Sequence, residues 1–219
     1  MPYISTIARA SANGLGYQGA EPAIGQPFEG GYYAGAYQVS GQKYYLIIAP
    51  IAAETRFANY WTGLNPNISA TSEIDGFVNT QSLVAGGQSP AATHCDTYTN
   101  DGYTDWYLPA RWELEIIYYN LKPSTDDNSI AYGANPYAIP SRYGVDYTTT
   151  IPKQTSVGLF QSGNTQALTP VPFYWSSTEA TATTRAYAIT MLNGQNGDVS
   201  KTQSFYFVRP VRKVYAGSV

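Results

Sequence analysis

The only histidine and the only cysteine of this 219-residue chain are neighbours, His94 and Cys95. A thiol beside an imidazole base is a nucleophile when the two side chains meet. Adjacent residues on a strand point to opposite faces, so a strand here keeps them apart. The plainer assignment is a small buried side chain, where a free thiol usually sits. One Cys and one His fall short of the four ligands of a structural zinc site. No disulfide can form within the chain, and a lone thiol fits a reducing compartment.

Carboxylates are the other source of chemistry. Asp96, Asp101 and Asp105 lie close together, as do Asp126 and Asp127. Glycosidase carboxylates must straddle a bond at about 5–10 Å, which one loop rarely arranges. The stretch DTYTNDGYTD also offers oxygens to calcium at Asp96, Asn100, Asp101 and Asp105. It departs from the EF-hand loop, with Tyr98 at the third position and Asp101 where glycine is required. A solvated turn suits it better. No metal, cofactor or catalytic residue is assigned, and the chain is not read as an enzyme.

Recognition chemistry is better supplied. The chain holds 21 Tyr. Tyrosine gives large contact area at low entropic cost, and Ser, Asn and Gly add adaptable hydrogen bonds. The candidate ligand contacts are Tyr132, Tyr137, Tyr143 and Tyr147. Asn193, Gln195, Asn196 and Asp198 of the NGQNGD stretch join them.

The elements that must position these residues follow from pattern. Residues 1–23 are small, polar and glycine-rich, and read as an extended arm that attaches to a partner. Residues 24–219 read as one domain. GGYYAGAYQV alternates as a strand, Ser40-Gly41-Gln42 turns, and KYYLIIAP is a second strand buried on both faces. Residues 72–85 read as a helix capped by Ser72, with Ile74, Phe77, Val78 and Leu83 as its apolar stripe. Gly76 weakens that helix. Residues 109–121 form the strongest helix, with Pro109 in the first turn. Its stripe is Leu114, Ile117, Tyr118 and Leu121. Glu113 and Glu115 complement its dipole, and Pro123 ends it. Residues 124–172 are loops with one short helix near TSVGLF. FYWSSTE, RAYAITML and SFYFVRPVRKV are strands, with NGQNGD as the turn between the last two.

Composition bounds the function. Charged residues make up 12%, about half the usual share, and aromatics at 15% with a net charge of −3 argue against disorder. A pI near 5.1 gives no basic footprint for nucleic acid. No run of 18 apolar residues exists to span a membrane. The first residues lack the apolar core of a secretory signal, which suggests a protein that stays in the cytoplasm until used.

Three ordered motifs then carry a resemblance. They are DWYLPARWELE, YWSSTE and YFVRPVRKV, with Trp106, Pro109, Arg111, Glu113, Trp175, Ser176, Arg209 and Arg212 at the matching positions. The pattern resembles the Lcl C-terminal domain family over about residues 24–214. The resemblance implies an α+β, C-type lectin-like fold: two helices, a small twisted antiparallel sheet and a long loop region. Its motif residues are expected to be structural, with Arg209 or Arg212 paired to Glu113 or Glu179. The stand-alone domain and its arm look most like bacteriophage members of the family. The implied function is a virion structural protein that recognises a host-surface glycan or protein from a tail fibre, baseplate or head fibre. It would bind other virion proteins through the arm and form a homo-oligomer such as a homotrimer. The alternatives are a purely architectural decoration or collar protein and a bacterial adhesin tip.

Overall fold

The computed structural model describes residues 19–57, 68–87, 89–181, 184–203 and 205–218. Residues 1–18, most of the expected arm, lie outside them. The chain is α+β. It runs β1 (Pro27–Phe28), β2 (Gly31–Val39), β3 (Gln42–Ile48), β4 (Thr55–Phe57), α1 (Gly76–Ala85), α2 (Pro90–Thr97) and α3 (Arg111–Leu121). Then come β5 (Ala138–Ile139), β6 (Phe173–Glu179), β7 (Arg185–Thr190), β8 (Asn196–Ser200), β9 (Tyr206–Val208) and β10 (Val211–Ser218).

Among the described residues two sheets form, each of five strands, where one small sheet was expected. The first orders β1-β2-β3-β10, with β5 also on β2. Its hairpin pairs Tyr37 with Tyr44 across the Ser40-Gly41 turn. The last strand then returns to β3, setting Val214 opposite Tyr45. The first and last strands of the domain are thus brought into one sheet. The second sheet orders β4-β9-β6-β7-β8 and is antiparallel except where β6 runs parallel to β9.

Helix α3 sits between the sheets. Leu114, Ile117, Tyr118 and Leu121 are all buried, and Ile116 joins them. Each such side chain stabilises the fold by about 1.5–3 kcal/mol. Trp175 anchors a second cluster with Leu83, Ala92 and Cys95. Trp106 anchors a third with Tyr33, Ile47 and Val214.

Several expectations are corrected. Among the described residues there are three α-helices, not two. Helix α2 is short, with Ser89 accepting at its N-cap and Pro90 in the first turn. His94 and Cys95 therefore lie on a helix. Cys95 is buried and its thiol is pushed well above its ordinary pKa by that burial, while His94 Nε2 meets the Ala53 carbonyl at 2.9 Å. They make no nucleophile and base. Helix α1 begins at Gly76 with Asp75 as its cap. Its inward residues include Asn79 and Thr80, whereas Phe77 and Val78 are exposed. Gly76 stands at the first residue because a Cβ there would lie 2.6 Å from Glu113 Oε2 and from Ala110 N. Helix α3 begins at Arg111, so Pro109 precedes its Ala110 cap. The loop-rich stretch before β6 holds β5 and a single 3-10 turn at Gly158–Phe160.

The NGQNGD stretch divides. Only its first half turns, and Asn196 already pairs with Ile189 in the β7–β8 hairpin. Gly194 carries φ +73°, and a Cβ there would lie 2.4 Å from Tyr118 Cε1. Gly194→Ala is expected to cost about 2–4 kcal/mol, from left-handed strain and overpacking. Its urea midpoint should fall with an unchanged slope.

Candidate functional site

Two buried glutamates on α3 organise the region. Glu113 Oε1 accepts from Tyr37 OH at 2.8 Å and from Tyr107 OH at 2.7 Å. Its Oε2 accepts from Ala110 N at 2.7 Å and Gly76 N at 3.1 Å. One carboxylate thereby fixes β2, α1 and the start of α3 together. Burial pushes its pKa up to about 7 against the pull of these donors. Glu115, two residues on, gathers the loop instead. Arg142 pairs with it, Asn135 Nδ2 donates at 2.5 Å, and Tyr147 OH donates at 2.6 Å. Burial raises its pKa while Arg142 opposes. The Arg142 guanidinium also lies 3.8 Å above the Tyr119 ring.

At the start of α3 lies an open groove of about 300 Å³. One wall is the start of α3. Arg111 N donates to Thr178 Oγ1 and Trp112 N to the Glu73 carbonyl, so the helix start is tied on both sides. The Arg111 guanidinium lies against two rings, 4.3 Å from Trp112 and 4.0 Å from Tyr187. It pairs with Glu73 at 2.7 Å and donates to Asn196 Oδ1 at 3.3 Å. The second wall is the β7–β8 hairpin, through Tyr187, Asn196, Gly197 and Asp198. The third is loop 131–134 with Asp146. Asp198 pairs with Arg185 at 2.6 Å. Asp146 is exposed and, among the described residues, pairs with no cation. Aromatic edges, an amide and carboxylates on rigid elements can hold a small polar ligand by shape and hydrogen bonds.

The candidate contacts separate on this geometry. Tyr132, Asn196 and Asp198 line the groove together. Asn193 and Gln195 sit in the neighbouring turn, where the Asn193 side chain accepts from Gln195 N. Tyr137 packs partly against the core. Tyr143 is 81% exposed and lies outside the groove lining. Tyr147 is a correction: it is 4% exposed, and its hydroxyl is committed to Glu115. Of the charged and aromatic residues lining the groove, Arg111, Trp112, Asp146 and Tyr187 were not among the expected contacts. Tyr187 could have been found, because it alternates with Ala186 and Ala188 along RAYAIT.

The other motif residues tie elements together. Ser176 Oγ donates to the Tyr187 carbonyl at 2.9 Å. The Pro109 carbonyl accepts from Ser177 N, joining α3 to β6. The expected arginine pairings are corrected. Arg209 pairs with Glu54, and Arg212 with Asp105 and Glu29. Glu179 instead takes Lys201.

These features define an α+β domain whose signature residues build a frame and whose loops rim a ligand-sized groove. The family model of the Lcl C-terminal domain matches residues 70–212, and the chain belongs to that family. No curated protein matches the sequence.

Proposed function

We propose that this chain is a structural protein of a bacteriophage particle whose domain, lectin-like in build, contacts a glycan or protein of the host surface. The observation that carries the reading is the groove at α3 and the β7–β8 hairpin. Its lining of Arg111, Trp112, Tyr132, Tyr187 and Asn196 is the mixture of rings and polar rims that recognises polar surfaces. The return of β10 to β3 supports the lectin-like build, because it leaves the loops to form a recognition edge. Tail fibre, baseplate and head fibre are the settings this reading covers. The chain would assemble as a homo-oligomer, attached to other virion proteins through residues 1–23. The end of that segment is held on the domain itself, where Glu21 pairs with Lys43 and accepts from Tyr33 OH.

One observation favours a purely architectural role. Ile130, Tyr143, Val145 and Ile151 are all exposed within one loop region, and clustered apolar exposure suits contact with another protein. Immunogold labelling of purified particles separates the two readings. Label at distal fibre or baseplate tips is expected. Label spread over a capsid or shaft would favour the architectural role, and unlabelled particles would remove both.

A further inference from the structure

We propose that the groove holds an uncharged, hydroxyl-rich sugar unit and rejects anionic glycans. The inference rests on the recognition reading above and adds the charge class of its ligand. The argument begins with where the positive charges are. Among the described residues, eight of the Lys and Arg side chains are committed to ion pairs. Arg56, Lys122 and Lys153 are the others. Lys122 is 2% exposed, and its Nζ is held by Asn128 Oδ1 at 2.8 Å and by the Asp126 carbonyl. Arg56 lies over the Phe205 and Phe207 rings. Lys153 borders a separate hollow beside Asp126 and Asp127. None of the three lines the groove.

Arg111 is the groove's own cation, and it is already occupied. Glu73 and Asn196 each accept from one of its terminal nitrogens, two rings lie against the guanidinium, and Nε is buried without a partner. The free fork that grips a sulfate, phosphate or carboxylate is therefore absent from it. Around the groove, Arg111 and Arg185 face three carboxylates, those of Glu73, Asp198 and Asp146. The surplus negative charge is Asp146, which is exposed. An anionic sugar would meet that carboxylate as a like charge, which costs several-fold to many-fold in affinity. A neutral sugar gains from the same group. Its hydroxyls donate to carboxylate oxygens, which are acceptors only, and its C–H faces pack on the Tyr132 and Tyr187 rings.

The test applies the full chain to an immobilised panel of oligosaccharides. The neutral probes are hexose and N-acetylhexosamine oligomers. The amino-bearing probe is a deacetylated chitosan trimer, and the anionic probes are a heparin hexasaccharide and a sialylated trisaccharide. Two variants accompany it, Tyr132→Ala and Asp146→Lys. The second changes an exposed side chain, so an unchanged melting temperature certifies its fold. The expected result is retention by at least one neutral probe and by no anionic probe. Each variant should then lose about tenfold in affinity: Asp146→Lys for one hydrogen bond to a charged group, and Tyr132→Ala for the ring face on which the sugar packs. Groove-dependent binding of an anionic probe, or of the amino-bearing probe alone, would overturn the charge class and leave host recognition standing. Neutral binding that neither variant weakens would place the sugar elsewhere and overturn the groove assignment. An empty panel would overturn the sugar assignment. With tip labelling in particles it would leave recognition to a protein receptor, and without such labelling the recognition reading falls too.

Discussion

Glu113→Ala is expected to lower the melting temperature by about 10 °C or more. Four buried donors lose their acceptor at once: the hydroxyls of Tyr37 and Tyr107 and the amides of Gly76 and Ala110. Each unsatisfied buried group costs about 1–3 kcal/mol. Even with strong non-additivity the total reaches about 4 kcal/mol, and each 1 kcal/mol moves the midpoint of a domain this size by about 2–4 °C. Glu113→Gln should behave differently. Its carbonyl can face the two amides while its NH2 donates to the tyrosine oxygens, which turn to accept. The contrast extends to pH. The folded pKa of Glu113 is about 7, above the ordinary value of 4.5. Between those values the folded state binds more protons than the unfolded chain. Stability from this group is therefore fully present below about 4.5 and lost as pH rises through 7, by at most about 3 kcal/mol. Chemical denaturation from pH 5 to 8 should show that decline in the parent and a flatter profile in Glu113→Gln. A parent profile that rises across this range would mean that the four donors outweigh burial.

The same glutamate shows where sequence reading stops. At the start of an amphipathic helix, Glu113 and Glu115 read as partners of the helix dipole, with Glu113 also a structural residue that an arginine could pair. Both are in fact 0% exposed. The groups that make this tolerable come from remote segments: Tyr37 lies 76 residues away and Tyr147 lies 32 residues from Glu115. No local pattern carries that information. The apolar stripe of α3 was legible because Leu114, Ile117, Tyr118 and Leu121 obey helical spacing by themselves. The β2–β3 hairpin was legible because its first strand alternates at period two and its second, across the Ser40-Gly41 turn, is a continuous apolar run. Helix α2 was obscure because eight residues rich in Ala and Thr hold no stripe, although Ser89-Pro90 was a start signal. The groove was half legible. Tyr132, Asn196 and Asp198 stand out as contact residue types, whereas Arg111 and Trp112 look purely structural inside their motif. They serve the frame and the groove together, since the helix start is both a fixed joint and an exposed edge.

Burial, not distance, decides the worth of an ion pair here, and Arg209→Met is the second large effect expected. Arg209 lies 3.7 Å from Glu54, with side-chain exposures of 1% and 6%. Its Nε donates to the Ala49 carbonyl at 2.8 Å and its terminal nitrogens to Gln166. Methionine fills much of the space but leaves the Glu54 carboxylate buried without a cation. It also strips a donor from Ala49. Removing one partner of a buried pair costs about 3–5 kcal/mol. Arg185 and Asp198 are closer, at 2.6 Å, yet their side chains are 42% and 45% exposed. Water replaces the lost partner there, so Arg185→Met should cost about 1 kcal/mol or less. Adding Glu54→Gln to Arg209→Met should recover part of the loss: Tyr174 OH and Thr169 Oγ1 bond different oxygens of Glu54, so the amide oxygen accepts from one hydroxyl, the NH2 donates to the other, and the orphaned charge is gone. A double-mutant cycle read by urea unfolding measures that coupling. A cost for Arg209→Met no larger than that for Arg185→Met would show that Glu54 is neutral in the folded protein. The arginine of the closing motif would then act through its fork onto Ala49 and Gln166 alone.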